Sequence, residues 1–200
     1  MPYSVKEIIM KKLSKKWYLG WIIGAYVAGS VFLITGLIIG VVWAVIKQGK
    51  FNLADMGLLG PAIMFFLLGI ASTTVAAIFC YVVLFKAWQA IQDGQPRTTP
   101  GKAVGFLFIP FFNLYWMFVA YWGWAKDCNA YISSRGLSLA PLPEKLFLAF
   151  PIITLCSGIP YVGSVAALAV IVVFIIMCNQ MIDTINGIYD ARMITTAAQV

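Results

Sequence analysis

The stretch Ile109–Asn129, which reads IPFFNLYWMFVAYWGWAKDCN, decides the fold because the same chain contains an echo of it. Fifty residues later, Ile159–Asn179 reads IPYVGSVAALAVIVVFIIMCN, again with Ile-Pro at its start and Cys-Asn at its end. Each stretch is almost wholly apolar between these two dipeptides. We interpret the echo as one hydrophobic helical unit used twice inside a membrane. This internal repeat predicts an architecture and names no substrate.

The whole chain has the composition of a membrane protein. Of its 200 residues, 62% are hydrophobic and 10% are charged, which lies outside the range of soluble domains. Nearly uncharged runs cover Trp17–Ile46, Leu58–Phe85, Ala103–Ala125 and Leu146–Ile182. Each run is long enough to cross a bilayer, since about 20 helical residues span the hydrocarbon core. We expect an all-α, polytopic helical bundle with about four full spanning helices and two shorter helical legs.

The net charge of +7 is partly concentrated in a basic leader, residues 1–16, ahead of the first apolar run. Its lysines are Lys6, Lys11, Lys12, Lys15 and Lys16. The positive-inside bias and attraction to anionic lipid both favour a cytoplasmic position for such a leader. Nucleic-acid binding would require a basic surface with exposed aromatic side chains, and the sequence does not indicate one. We therefore predict an uncleaved signal anchor in a bacterial inner membrane, with both termini cytoplasmic and no nucleic acid among the partners.

Prolines divide the second half of the chain into two predicted hairpins. Proline removes a backbone donor and clashes with the preceding turn, whereas glycine permits a reversal. The run Leu146–Ile182 would extend about 55 Å as one straight helix, which is too long for a single crossing. The predicted hairpin turns are Pro110 and Asn113 in the first hairpin, and Pro160 and Gly163 in the second.

The hairpin layout has an alternative. In the hairpin layout each rising leg is shorter than its descending leg, and the loop Lys126–Lys145 is cytoplasmic. The leg before Pro110 is then re-entrant or a kinked part-span, and the leg from Glu144 to Ser157 nearly crosses. In the four-span layout Ala103–Ala125 crosses once, Glu144–Ser157 lies at the outer interface, and the same loop is external. Both layouts predict one membrane domain over residues 1–200, with a leader at 1–16, a first helical hairpin at 17–91 and a duplicated hairpin region at 101–190.

Small residues recur at nearly every fourth position of the first apolar run. Such residues let another helix backbone approach closely. The partner is either the helix over Leu58–Ile91, which we favour, or another chain. The predicted packing residues are Gly20, Gly24, Ala28, Gly36, Gly40 and Ala44.

Polar side chains gather towards the ends of the two repeated stretches. Positions 179, 183 and 186 share a helix face, and Asn129 is the repeat equivalent of Asn179. One interpretation is a cytoplasm-facing vestibule for an ion or a small solute, with Lys86 as the counter-charge to Asp183. The other is hydrogen bonding between helices near the interface, which the position of Asp183 close to a helix end favours. The candidate cluster is Asn129, Asn179, Asp183, Asn186 and Lys86.

Aromatic residues make up ten of the nineteen residues from Phe106 to Trp124. Such density fits a groove for a quinone, a carotenoid or a lipid tail. It also fits interface anchoring combined with helix packing, which is the more common use of aromatic residues in membrane proteins.

Residues that carry chemistry are sparse. The cysteines at 80, 128, 156 and 178 lie in or beside apolar runs, so we expect them to be free and buried. There is no histidine, which removes bis-histidine haem and most zinc and copper sites. No HExxH, GxSxG, P-loop or CxxC motif occurs, and the acidic residues do not cluster as magnesium ligands do. We expect no enzymatic activity, no catalytic residue, no metal and no cofactor.

The segment Gly101–Gly136 resembles an uncharacterised family of bacterial multi-helix membrane domains. That family is a domain of unknown function, sometimes found after a GYF-like module, which this sequence does not contain. The resemblance implies a membrane domain and no particular activity. The matching features are Phe-Ile-Pro110, Asn113-Leu-Tyr-Trp116, Ala125-Lys-Asp-x-Asn129, Ile159-Pro-x-x-Gly163 and Asn179-x-x-x-Asp183-x-x-Asn186.

Two functions remain open from the sequence. The first is a non-catalytic accessory or scaffolding subunit of a larger membrane complex, with membrane-protein partners or further copies of itself in the bilayer. The alternative is a transporter or channel for a small solute, an ion or a lipid that acts as an oligomer. The repeated hairpin and interrupted helices support the alternative, because transporters often bind at broken repeats. The few intramembrane charges and the small size count against it.

Overall fold

The computed structural model describes residues 12–47, 56–159 and 163–197. The chain is 84% helical, and these ranges contain no strand. The protein is therefore all-α, as the composition predicts. Seven α-helices are described, namely α1 (Lys15–Lys47), α2 (Met56–Ala90), α3 (Pro100–Gly105), α4 (Phe112–Met117), α5 (Trp124–Ser134), α6 (Glu144–Cys156) and α7 (Gly163–Ala197).

Within the described ranges, three helices are long and apolar enough to cross a membrane. They cover Lys15–Ile46, Gly60–Ala90 and Ala169–Thr195, with lengths of 32, 31 and 27 residues. The expectation of about four full spans is not confirmed. The third apolar run has suitable hydropathy, but its backbone is not one continuous helix.

The third run reverses direction at its proline. A 3-10 turn, Phe106–Phe108, follows α3, and α4 begins after the turn. Trp116 Nε1 then donates a hydrogen bond back to the Ala103 carbonyl oxygen at 3.1 Å. A π-helical turn, Phe118–Gly123, continues α4 into α5. The leg formed by α3 and the 3-10 turn therefore packs antiparallel to α4 and the π-helical turn.

A second pair of antiparallel helices follows. The ring of Phe150 on α6 lies 5.1 Å from the ring of Phe174 on α7. Further down the pair, the side chain of Leu139 contacts Gly187, where an added Cβ would come within 2.6 Å of Leu139 Cδ2. The predicted turn residue Pro160 lies outside the described residues, and Gly163 begins α7.

The chain divides into two compact units. Unit 1 contains Met1–Lys16 and Tyr81–Val200, and unit 2 contains Trp17–Cys80. Within unit 2, α1 and α2 approach closely at glycines: a Cβ on Gly36 would lie 3.0 Å from the Ala62 carbonyl oxygen. The single domain over residues 1–200 stays a prediction.

Candidate functional site

Two asparagine side chains each hold the backbone of a leucine that stands two residues before a helix. Asn129 Oδ1 accepts from Leu142 N at 2.8 Å, and Asn129 Nδ2 donates to Leu142 O at 3.0 Å. Asn186 Oδ1 accepts from Leu13 N at 2.8 Å, and Asn186 Nδ2 donates to Leu13 O at 2.9 Å. Both leucines are buried. A single side-chain amide thus pairs with both the N–H and the C=O of a leucine that lies outside a helix. Buried backbone groups require such hydrogen-bond partners. We call these contacts the asparagine clamps.

Ion pairs flank the clamp at Leu13. Lys12 Nζ lies 2.8 Å from Asp190 Oδ2, and Lys15 Nζ lies 2.7 Å from Asp183 Oδ2. The segment that enters α1 is thereby bound to the C-terminal part of α7 through side chains on both sides of the clamp.

A denser group of polar side chains surrounds Asp93, just after α2. Asp93 accepts hydrogen bonds from Arg192, from Tyr131 Oη at 3.0 Å and from Arg135 at 3.2 Å. Arg192 also donates to the Ala90 carbonyl oxygen at 2.6 Å and to Tyr131 Oη at 2.9 Å. Burial raises the pKa of Tyr131, so its hydroxyl keeps its proton and donates to Asp93 at neutral pH. This group joins the ends of α2, α5 and α7.

Arg97 and Asp127 form a further ion pair beside the first hairpin. Arg97 N donates to Asp127 Oδ2 at 2.9 Å, and Arg97 Nε donates to Asp127 Oδ1 at 3.0 Å. The hydrogen bond to Asp127 raises the pKa of Arg97 above its ordinary value. Gly123 leaves room for the Arg97 side chain, because a Cβ at position 123 would lie 3.2 Å from Arg97 Cδ.

These contacts form one group, which we call the polar network. It joins the start of α1, the end of α2, the end of α5, the start of α6 and the C-terminal part of α7, all within unit 1. Glu144, the first residue of α6, accepts a hydrogen bond from Asn129 Nδ2 at 3.0 Å. Every acidic residue of the described ranges therefore has a partner in the network. These residues are Asp93, Asp127, Glu144, Asp183 and Asp190.

The predicted vestibule residues do not converge on one space. Asn129 and Asn186 act as clamps on different segments, and Asp183 pairs with Lys15 rather than with Lys86. Lys15 reaches Asp183 because the clamp at Asn186 holds the start of α1 against α7. Asn179 and Lys86 are partly exposed, and within the part of the chain that the structure describes neither makes a side-chain hydrogen bond or ion pair.

The reversal at Pro110 exposes an aromatic tip. Phe112 N donates to the Pro110 carbonyl oxygen at 2.7 Å, and Asn113 N donates to the Ile109 carbonyl oxygen at 3.0 Å. The predicted turn residues Pro110 and Asn113 thus both take part in the reversal. Between them, Phe111 has a φ of 63° and is 87% exposed. Positive φ is rare for a bulky residue. We call residues 108–112 the hairpin tip.

The aromatic residues of the run divide by position. Near the tip, Phe106 and Trp116 rings lie 4.8 Å apart. Near the polar network, Tyr121 packs against Phe150 at 4.9 Å and Trp124 is fully buried. Packing thus accounts for the aromatic residues at the network end. The large side chains left exposed at and beside the tip are Phe108, Ile109, Phe111, Phe112, Leu114 and Tyr115.

The π-helical turn lies between these two ends. Its Ala120 carbonyl oxygen accepts a hydrogen bond from Trp88 Nε1 on α2 at 3.0 Å, and both residues are fully buried. Such turns are rare and occur frequently at functional sites. Here the turn fixes the broken helix to α2 within unit 1.

The predicted packing residues of α1 have different surroundings in unit 2. Gly36 contacts α2, whereas an added Cβ would meet no atom within 4 Å at Gly20, Gly24 or Gly40. Ala44 is exposed. Gly20, Gly24 and Ala28 line an open apolar groove of about 530 Å³ between α1 and α2. The close approaches that the spacing rule missed are at Gly29 and Gly69.

None of the four cysteines, all of which lie in the described ranges, forms a disulfide, as predicted, and three of the four are buried. Burial raises the pKa of Cys128 to about 12, so this thiol stays protonated at neutral pH. Cys156 is half-buried. Among the described residues no group of three histidine, cysteine, aspartate or glutamate side chains could hold a metal ion.

No family model, no curated protein and no solved structure matches the chain. The resemblance of Gly101–Gly136 to an uncharacterised membrane-domain family stays a prediction.

Sequence reasoning missed the residues around Asp93. Asp93, Arg97 and Arg135 lie in segments that read as polar connectors, and Arg192 follows the last apolar run. The available signal was their position: charges of both signs flank the ends of several apolar runs, and such ends meet at the same membrane surface in a hairpin layout.

Proposed function

We propose that the chain is a multi-pass inner-membrane protein with both termini in the cytoplasm, and that it acts as a non-catalytic accessory or scaffolding subunit of a larger membrane complex. Its three long apolar helices support membrane insertion. The basic residues at the start of α1 support a cytoplasmic position for that end.

The polar network supports the hairpin layout. Arg135 and Tyr131 contact Asp93 and Arg192, so the segment after α5 lies at the same end of unit 1 as the ends of α2 and α7. The four-span layout requires that segment to lie on the opposite side of the membrane. In the hairpin layout the loop Lys126–Lys145 is cytoplasmic, like the start of α1.

The observation that carries the proposed function is the exposed hairpin tip. Six residues of α3 and three of the 3-10 turn rise roughly 15 Å, which is half of a hydrocarbon core. The tip therefore reaches the middle of the bilayer. Non-helical backbone is stable at that depth only where protein or a water-filled cavity covers it. The exposed rings of Phe108 and Phe111 favour protein, and we propose a membrane helix of a partner subunit as the cover.

The test is purification in a mild detergent from cells that express variants of the chain. A partner should accompany the wild type in a fixed molar ratio. The double variant Phe108→Ala/Phe111→Ala should lose the partner at little cost in thermal stability, because both side chains are mostly exposed. The only ring contact that either makes with a described residue is that of Phe108, which lies 5.0 Å from the ring of Tyr81. The matched control Ile152→Ala/Val172→Ala removes exposed apolar side chains from α6 and α7 and should keep the partner. Retention of the partner by the tip variant would rule out this docking surface.

A transporter or channel for a small solute, an ion or a lipid is the second candidate. It is favoured by the interrupted backbone at Ile109–Phe111 and by the π-helical turn, since transporters place binding sites at broken helices. Liposomes that contain the purified protein should then show solute flux above that of empty liposomes. Flux at the level of empty liposomes would remove this candidate.

A further inference from the structure

We propose that Lys86, Lys102, Lys126 and Lys145 bind the headgroups of anionic phospholipids around unit 1. These four lysines, which we call the lysine collar, lie on α2, α3, α5 and α6. The inference goes beyond the proposed function because it concerns the lipid around the protein and not a protein partner.

The first argument is charge. All acidic residues of the described ranges are already paired inside the polar network. Among the described residues the collar lysines have no ion-pair partner, and Lys102 and Lys145 are exposed. The charge that unit 1 presents to its surroundings is therefore an excess of cations, and the complementary ligand is an anion.

The second argument is depth. Lys86 stands one helical turn before Ala90, Lys126 stands beside Asp127, and Lys145 stands beside Glu144, so all three lie within a turn of the polar network. The network caps the ends of apolar helices, which places it at the level of lipid headgroups. Lys102 stands on the rising leg, and its long side chain can reach back to that level.

The third argument is the surroundings of Lys126. Its Nζ lies 3.5 Å from the centre of the Trp122 ring. Tryptophan is enriched at the membrane interface, and both Trp122 and Lys126 are partly exposed. The phosphate of a lipid beside Lys126 can accept hydrogen bonds from the ammonium group. The acyl chains of the same lipid can then pack beside the aromatic residues.

The experiment compares nanodiscs of phosphatidylcholine alone with nanodiscs of phosphatidylcholine and phosphatidylglycerol in equal parts. Mass spectrometry of the lipid retained by the purified wild-type protein should show enrichment of phosphatidylglycerol. The variant K86Q/K102Q/K126Q/K145Q should lower that enrichment at least about fivefold, which is the effect of one lysine near an anionic surface. The matched variant with arginine at all four positions keeps the charge and should retain the enrichment.

The outcomes decide the proposal. Equal retention of both lipids by the wild type would overturn it, and so would unchanged enrichment in the glutamine variant. If the fourfold glutamine variant does not fold, the four single variants replace it, and a fall in enrichment with each one supports the collar. A duplex DNA probe is added to discs of phosphatidylcholine alone. DNA binding that the glutamine variant loses, together with unchanged lipid enrichment, would assign the charge to nucleic acid instead.

Discussion

Asn129 and Asn186 show how one side-chain carboxamide can supply the hydrogen-bond partners that the backbone lacks just before a helix begins. In each clamp the amide oxygen accepts from a leucine N–H and the amide nitrogen donates to the same leucine's carbonyl oxygen. Leaving a buried backbone group unpaired costs about 1–3 kcal/mol, which is a large fraction of the stability of most domains. At the residue scale, the clamps therefore contribute mainly by satisfying backbone groups.

Replacement of Asn186 by leucine should destabilise the protein by about 1–3 kcal/mol, because Leu13 N and O both lose their partner. The measurement is thermal unfolding in detergent, followed by tryptophan fluorescence. The matched control is Asn179→Leu on the same helix, because the Asn179 side chain makes no hydrogen bond to any other described residue. The control should change stability by no more than about 0.5 kcal/mol. Equal losses in the two variants would contradict the clamp.

The sequence identified the clamp asparagines but not their partners. Spacing along the last helix singled out Asn186, since polar residues in an apolar helix are conspicuous. Its partner, Leu13, lies 173 residues away and contributes only backbone atoms, which any residue type offers. No residue pattern can therefore predict the contact, and the same holds for Asn129 and Leu142.

At the scale of elements, the first hairpin depends on a reversal without glycine. Pro110 was a sound predictor of the break, because proline cannot continue the preceding turn. The residue that takes the positive φ is Phe111, and nothing in its side chain favours that conformation. Hydropathy alone predicted a crossing over Ala103–Ala125, since it does not register where a backbone turns back inside an apolar run.

The variants Phe111→Gly and Phe111→Ala should differ in stability by about 1 kcal/mol, with the glycine variant more stable. Both lose a ring that is 87% exposed, so the packing loss is small and equal. They differ in backbone freedom at a φ of 63°, which glycine adopts without strain. Apparent melting temperatures measured side by side in one detergent provide the comparison. An alanine variant that melts at or above the glycine variant would show that the conformation is unstrained.

For the whole molecule, the polar network ties the ends of separate helices in unit 1 to one another. Its members differ in exposure. The Asp93 side chain is 24% exposed and has three partners, whereas the side chains of Lys12 and Asp190 are 56% and 51% exposed. Exposed ion pairs contribute about 0–1 kcal/mol, so the contacts of Asp93 should dominate the stability of the network.

Replacement of Asp93 by asparagine should lower stability by about 1–3 kcal/mol, because two arginines and one tyrosine lose a charged acceptor. Asp190→Asn, which removes one exposed pair, should cost at most about 1 kcal/mol. Thermal unfolding at low and high salt provides the measurement. The small loss in the Asp190 variant should shrink further in high salt, while the loss in the Asp93 variant should persist. A larger loss at Asp190 than at Asp93 would reverse this ranking.

The pairing of Lys12 with Asp190 has a consequence for biosynthesis. The two residues are separated by 178 positions, and Leu13 and Asn186 are separated by 173. A ribosome releases the earlier residues long before the later ones, so α1 enters the bilayer without these contacts. Burial of apolar side chains in lipid must therefore hold the early helices in place during translation. The contacts of Lys12 and Leu13 form only after α7 has been made.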